Sequence, residues 1–297
     1  MSTTLRRLEL LVTEVRESSD TKDLNSIGPY ELMRYFNDAQ KTIQKIIFAS
    51  NPSADIFVKQ ANYPVQGSSQ VAFDLPEDIY AHSSVSNVNT VKDGSIAQTL
   101  TRVAYREKQT LWGYSILDKQ IVLTSAPQIS TISNLLVNYV YKLPTMSYRL
   151  GKVTSVDTLT GIVTVDGASI ITDEGFSERY DSYSIVDSKG IQSASYLELD
   201  DFSGLDFLFT GDLSEVSVGD YVVCGENGTS HSKLPEACEP YLFSYVQKRI
   251  LGKIASGEVA MEAAFSQQDR QDLEDLFADT VKDALYPVSS DTYYLGY

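Results

Sequence analysis

The side chains best equipped for chemistry are few and widely spread. Asp200, Asp201 and Asp206 form the densest group of carboxylates, a donor type suited to hard cations, but their spacing lacks the order of an EF-hand loop and its glycine and glutamate positions. The group reads as a solvated acidic surface, to which Asp212 also belongs. His82 follows Asp78 closely enough for a carboxylate-oriented imidazole base, and His231 stands in the turn-like stretch Asn-Gly-Thr-Ser-His-Ser. His82 is expected at the surface and His231 in a turn. Cys224 and Cys238, the only cysteines, are spaced wrongly for a redox CxxC or a zinc ribbon and are expected as free thiols. No GxGxxG, Walker A, HExxH or GxSxG motif occurs. The chain is therefore not expected to be an enzyme or to hold a metal or organic cofactor.

The C-terminus offers chemistry of another kind. Tyr286, Tyr293, Tyr294 and Tyr297 lie with Leu295 in a segment whose only charge is Asp291. Aromatic rings gain free energy by burial, so such a tail either folds back onto its own helices, frays, or docks on a neighbouring copy or partner by strand addition or ring insertion.

Positioning these residues falls to a chain of 297 residues, 42% hydrophobic and 22% charged, long enough for two domains or one elaborated domain. No apolar run is long enough to span a membrane and no secretory h-region opens the chain, so a cytoplasmic protein is expected. The net charge of −16 is uneven. Residues 1–145 hold 14 basic and 14 acidic side chains, residues 146–236 hold 5 and 16, and residues 237–297 hold 5 and 10. An acidic second half repels polyanions and argues against ordinary nucleic-acid binding. The same sign suits a conduit that lets DNA pass without adhering; solubility alone is the plainer reading.

Leu5, Leu8, Val12 and Val15 recur at helical spacing behind Thr3 or Thr4 as a cap, and Gly28-Pro29 opens a second helix with Leu32, Phe36, Ala39, Ile43, Ile46 and Ile47 as its buried stripe. From Ile56 to Tyr141 the helical period gives way to strand-like runs, including a hairpin turn at Asp118-Lys119, which read as an antiparallel meander. Residues 146–234, rich in glycine, aspartate and β-branched residues, read as an inserted barrel or sandwich with two weakly similar halves, ending at Tyr183–Val186 and Tyr221–Cys224. Helices return with Tyr241 to Ile254 and, behind a capping box at Ser266 and Asp269, with Leu273 to Leu285. The expected fold is α+β. Residues 1–145 with 235–285 form a bundle of N- and C-terminal helices carrying the meander, 146–234 an acidic β module, and 286–297 a docking tail.

This order of elements resembles the head-to-tail connector (adaptor) ring proteins of tailed bacteriophages. The matching segments are Glu31-Leu-Met-Arg-Tyr-Phe-Asn-Asp-Ala-Gln40, Phe73-Asp-Leu-Pro-Glu-Asp78, Tyr114-Ser-Ile-Leu-Asp-Lys-Gln-Ile-Val-Leu123 followed by Ala126-Pro127, Leu136-Val-Asn-Tyr-Val-Tyr-Lys-Leu-Pro144, Val218-Gly-Asp-Tyr-Val-Val-Cys224 and Leu234-Pro-Glu-Ala-Cys-Glu-Pro-Tyr-Leu-Phe243. Each is short and structural; their order along nearly the whole chain carries the likeness. The resemblance implies a homo-oligomeric ring, commonly of twelve copies, located in the virion neck after assembly in the host cytoplasm. It implies the portal protein and tail or nozzle proteins as partners, DNA that passes without specific binding, no membrane contact and no catalytic residues. It also favours docking on the portal for Tyr286, Tyr293, Tyr294, Leu295 and Tyr297, while Asp200, Asp201, Asp206 and Asp212 would face the channel. Two other classes of function stay open on the residues alone: a β-rich baseplate or receptor-binding module for sugars or cations, and a hydrolase or lyase, which needs a polar pocket that the sequence does not announce.

Overall fold

The computed structural model describes residues 7–19, 27–50, 55–65, 70–103, 113–124, 132–167, 182–256 and 265–285, which build a mixed α+β fold. By compactness the chain divides into two units, Met1–Ser50 with Leu143–Tyr297 and Asn51–Lys142. The strand-rich middle is thus a unit of its own, while the acidic β module shares a unit with the helices.

In the first unit, four helices come from the two ends of the chain: α1 (Leu8–Ser18), α2 (Pro29–Ser50), α3 (Glu239–Ser256) and α4 (Gln267–Leu285). Helix α1 starts at Leu8, not behind Thr3 or Thr4, which lie outside the described residues. Arg7 occupies its N-cap without a side-chain bond, and the Leu8 N–H donates instead to the Ser230 carbonyl (2.9 Å). In α2, Leu32, Phe36, Ala39, Ile43 and Ile47 are buried at the expected spacing, whereas Ile46 is half-buried. The same helix buries a polar stripe. Asn37 exchanges two hydrogen bonds with the Met146 backbone (2.7 and 2.8 Å), Gln40 Nε2 donates to the Pro144 carbonyl (2.8 Å), and Gln44 Oε1 accepts from the Leu143 N–H (3.2 Å). These amides sit on one helical face and pair with the extended backbone of residues 143–146, whose N–H and C=O groups would otherwise be stranded in the interior. Helix α2 meets α3 through the edge-on rings of Phe36 and Phe243 (6.4 Å) and the Glu31–Lys253 ion pair. Lys248 of α3 reaches Asp269 of α4 (2.6 Å). Asp269 also completes the capping box: its N–H donates to Ser266 Oγ (3.1 Å) while its carboxylate accepts from the Ser266 N–H (2.9 Å).

The second unit is a seven-stranded sheet. Its strands are β1 (Val58–Pro64), β2 (Ala72–Asp74), β3 (Val85–Lys92), β4 (Ser95–Arg102), β5 (Gly113–Leu117), β6 (Gln120–Leu123) and β7 (Asn134–Val140), in the spatial order β1-β7-β3-β4-β5-β6-β2. This corrects the meander. Strand β7 inserts between β1 and β3, and β4 and β5 run parallel, pairing Thr101 with Gly113. A tight hairpin cannot make a parallel pair. The Asp118-Lys119 turn is as expected, both residues taking positive φ (47° and 63°), as type I′ geometry requires. Phe73, Val88, Tyr114, Ile121, Leu135 and Val137 are buried together on one face, and Tyr63 of edge strand β1 meets Phe73 of edge strand β2 (5.9 Å), so the sheet curls over its core.

The acidic module of the first unit, flanked by a two-residue parallel bridge of β8 (Thr145–Met146) with β15 (Gly228–Thr229), is a closed barrel. Its strands are β9 (Arg149–Asp157), β10 (Ile162–Val165), β11 (Ser182–Val186), β12 (Gln192–Ser203), β13 (Asp206–Thr210) and β14 (Tyr221–Cys224), in the closed order β10-β13-β12-β11-β14-β9. The interior is packed solid with Val163, Val165, Tyr183, Ile185, Leu197, Phe207, Phe209 and Val222, with Phe207 and Phe209 stacked at 5.5 Å. Exchanging β9, β10 and β11 for β12, β13 and β14 leaves the strand order unchanged. The two weakly similar sequence halves are therefore topologically equivalent, with the tyrosine-containing strands β11 and β14 paired to each other.

Among the described residues no helix is long and apolar enough to cross a membrane.

Candidate functional site

The acidic surface lies on the outside of the barrel because strand alternation sends the apolar residues inward. In β12 and β13, Leu197, Phe207 and Phe209 are buried while Glu198, Asp200, Asp201 and Asp206 are exposed. A bulge between Leu199 and Asp201 leaves Asp200 without a directly paired residue on β13, and so two successive carboxylates reach solvent.

Each carboxylate is held separately. Asp200 accepts from the Thr210 hydroxyl (2.5 Å), Asp206 from the Thr164 hydroxyl (2.7 Å), and Asp201 from the Phe202 N–H (2.8 Å). Asp212, in the loop after β13, accepts from the Ser214 N–H (2.9 Å), and this bond with that of the Ser214 hydroxyl lowers its pKa. Asp157 closes the β9–β10 turn on the Leu159 and Thr160 N–H groups; the Thr160 hydroxyl leads the causes that lower its pKa. The carboxylates are thus dispersed, and no group of three or more His, Cys, Asp or Glu residues among the described residues converges as a metal site requires. Exposed basic residues on the described barrel are Lys152 and Lys189. What this arrangement can do is repel phosphate chains.

The aromatic tail residues Tyr286, Tyr293, Tyr294, Leu295 and Tyr297 lie outside the described residues. His82 is exposed, as expected, at the start of a short 3-10 turn. The Asp78 carboxylate accepts instead from Lys59 Nζ (2.6 Å) and the Tyr139 hydroxyl (2.7 Å), so it orients a strand turn and not an imidazole.

His231, expected in a turn, forms an isolated antiparallel bridge with Arg7. It is 4% exposed, its Nδ1 lies 2.9 Å from Ser230 Oγ, and Gly190 packs against the ring so closely that a Cβ there would come within 2.4 Å of Nδ1. Arg149 at the start of β9 stacks over the Tyr221 ring (3.8 Å) and donates to the Ser188 carbonyl (2.8 Å), and its backbone N–H reaches the Glu9 carboxylate of α1 (3.2 Å). Burial, and then the positive charges of Arg149, Lys233 and Arg7, lower the His231 pKa to about 4, with Asp187 opposing them. The neutral imidazole packs on the β11–β12 turn, while the backbone of Ser230 and His231 holds the start of α1 through the Leu8 N–H and the bridge to Arg7. Sequence alone hides this pin because its members come from five separated segments; the one local hint is the Asp187-x-x-Gly190 turn. Both cysteines are buried, and burial raises the thiol pKa of Cys238 to about 12 and that of Cys224 further, so both are inert packing groups.

No protein-family model matches the sequence, and no curated protein matches it.

Proposed function

We propose that this chain is a structural subunit of the neck of a tailed bacteriophage, one copy in a ring that sits beneath the portal, joins the DNA-filled head to the tail and lines the DNA channel. The observation that carries this reading is the meeting of helices from opposite ends of the chain, α2 with α3 and with α4, the β structure lying between them in the sequence. That is the order of elements on which the connector resemblance rests, and in this reading α1 to α4 form the bundle that packs against neighbouring copies. The barrel contributes a second support. Its exposed Asp200, Asp201, Asp206 and Asp212 suit a surface past which DNA must slide, since cations there would trap phosphates. The aromatic residues of the tail, Tyr286 to Tyr297, are assigned to docking on the portal or a neighbouring copy.

Native mass measurement of the full chain, alone and mixed with the portal protein of the same phage, tests the proposal. The expected result is a many-copy ring bound to the portal, with attachment lost and the circular dichroism spectrum kept when residues 287–297 are deleted. A full-length chain that never associates with portal, or a truncated chain that attaches equally well, overturns it.

A further inference from the structure

The outer face of the Asn51–Lys142 sheet carries a row of side-chain amides. Gln60 of β1, Asn138 of β7 and Asn87 of β3 stand directly opposite one another in register. Gln60 Nε2 donates to Asn138 Oδ1 (2.9 Å), and Asn138 Nδ2 donates to Asn87 Oδ1 (2.7 Å). Asn89 Nδ2 reaches the same Asn87 oxygen (3.1 Å), and the Thr99 hydroxyl of β4 donates to Asn89 Oδ1 (2.7 Å). Beside this row Asn134 Nδ2 donates to Asn62 Oδ1 (2.8 Å). The bonds run sideways across four strands, so every amide is fixed in orientation by a neighbour.

An amide group has two N–H donors and an oxygen that accepts two bonds. The lateral bonds consume only part of that capacity; Asn89 is buried, while Asn87, Asn134 and Asn138 are half-buried and Gln60, Asn62 and Thr99 are exposed, so the remainder lies at a surface along all but Asn89. None of the residues in the row is charged, on a chain of net charge −16. Polyanions find no cation here, and cationic segments find no carboxylate. A protein partner finds no aromatic anchor in the row, and a dry contact would strand the spare N–H and C=O groups without partners. A ligand rich in hydroxyl groups avoids that cost, because a hydroxyl donates to an amide oxygen and accepts from an amide N–H.

We infer that the outer face of β1, β7, β3 and β4 is a binding site for an uncharged polysaccharide, read by the Gln60–Asn138–Asn87 amide row. This goes beyond the connector reading, since a neck ring needs no sugar.

The test applies the full-length protein to an array of neutral glycans (glucans, mannans, galactans and N-acetylglucosamine polymers) alongside sialylated and uronic-acid glycans, then titrates the strongest neutral oligosaccharide by calorimetry. Binding to neutral glycans that changes little with salt is expected, reduced tenfold or more in Asn138→Leu and several-fold in Gln60→Leu. The second substitution removes an exposed amide making a single one of these bonds, so it leaves the thermal melt unchanged and keeps the test valid if Asn138→Leu misfolds. Silence on all neutral glycans, preference for acidic ones, or undiminished binding by Gln60→Leu overturns the inference. So does a self-associated form that Gln60→Leu dissociates, which would make the face a contact between copies. A chain that forms the portal ring and ignores every neutral glycan refutes this inference alone.

Discussion

Acid should weaken this fold through His231, and the size of the effect follows from its surroundings. The imidazole pKa falls from 6.5 to about 4 in the folded chain, chiefly by burial and then by Arg149, Lys233 and Arg7, with Asp187 opposing. Between those values the unfolded chain binds a proton that the folded chain refuses. The contribution of His231 to stability is therefore intact above pH 6.5, declines as the pH falls, and is fully lost below about 4. The gap sets a ceiling of about 3 kcal/mol, of which about 2 kcal/mol is reached at pH 5. The 40 carboxylates of the chain also titrate in acid, so the wild type must be compared with His231→Gln, which keeps a hydrogen-bonding group and cannot take up the proton. Urea unfolding followed by circular dichroism at pH 7.5, 6.5, 5.5 and 5 gives the difference in stability between the two, and the other titrations cancel. Relative to the variant, the wild type should lose about 2 kcal/mol between pH 7.5 and 5. A difference that stays flat across this range, or a resonance assigned to the His231 imidazole that titrates near 6.5 in the folded protein, would refute the reasoning.

Gly190→Ala should destabilise by about 2–4 kcal/mol, since φ is +75° and the new Cβ lies 2.4 Å from His231 Nδ1. In a His231→Ala background the clash disappears and about 1 kcal/mol of backbone strain should remain; equal costs in both backgrounds, measured by urea unfolding, would contradict the contact. Replacing Asp200, Asp201 and Asp206 together by lysine shifts the net charge from −16 to −10, each change adding two. Fluorescence anisotropy with a short DNA duplex should then detect binding whose salt slope grows by about 0.9 for each lysine that reaches a phosphate, whereas the wild type stays unbound; wild-type binding at low salt would count against a repelling surface.

Local signals were legible where they involve few residues. The Ser266–Asp269 capping box, the Asp118-Lys119 turn, the stripe on α2 and the alternation that puts Val163 and Val165 inside the barrel all depend on spacing within a turn or a strand. Pairing over long distances was less so. The parallel contact of β4 with β5, and β7 inserted between β1 and β3, arise from crossovers that no local period encodes. The burial of His231 has no local signal, since turn-type residues surround it and its contact with Gly190 comes from a segment remote in sequence. Likewise Asn37, Gln40 and Gln44 fit a polar face by type alone; their burial follows from the strand-like backbone that they satisfy. The asparagines at positions 87, 89, 134 and 138 alternate as strand residues should, but only the register aligns them into one row.

The exchange symmetry of the barrel bears on how such a module can arise. Three strands related to three others by a two-fold operation need only one genetic unit, since two identical short chains would close the same cylinder on each other. The halves meet where β11 pairs with β14 and β10 with β13, so a peptide spanning only β9 to β11 is expected to pair with a second copy of itself along β10 and β11.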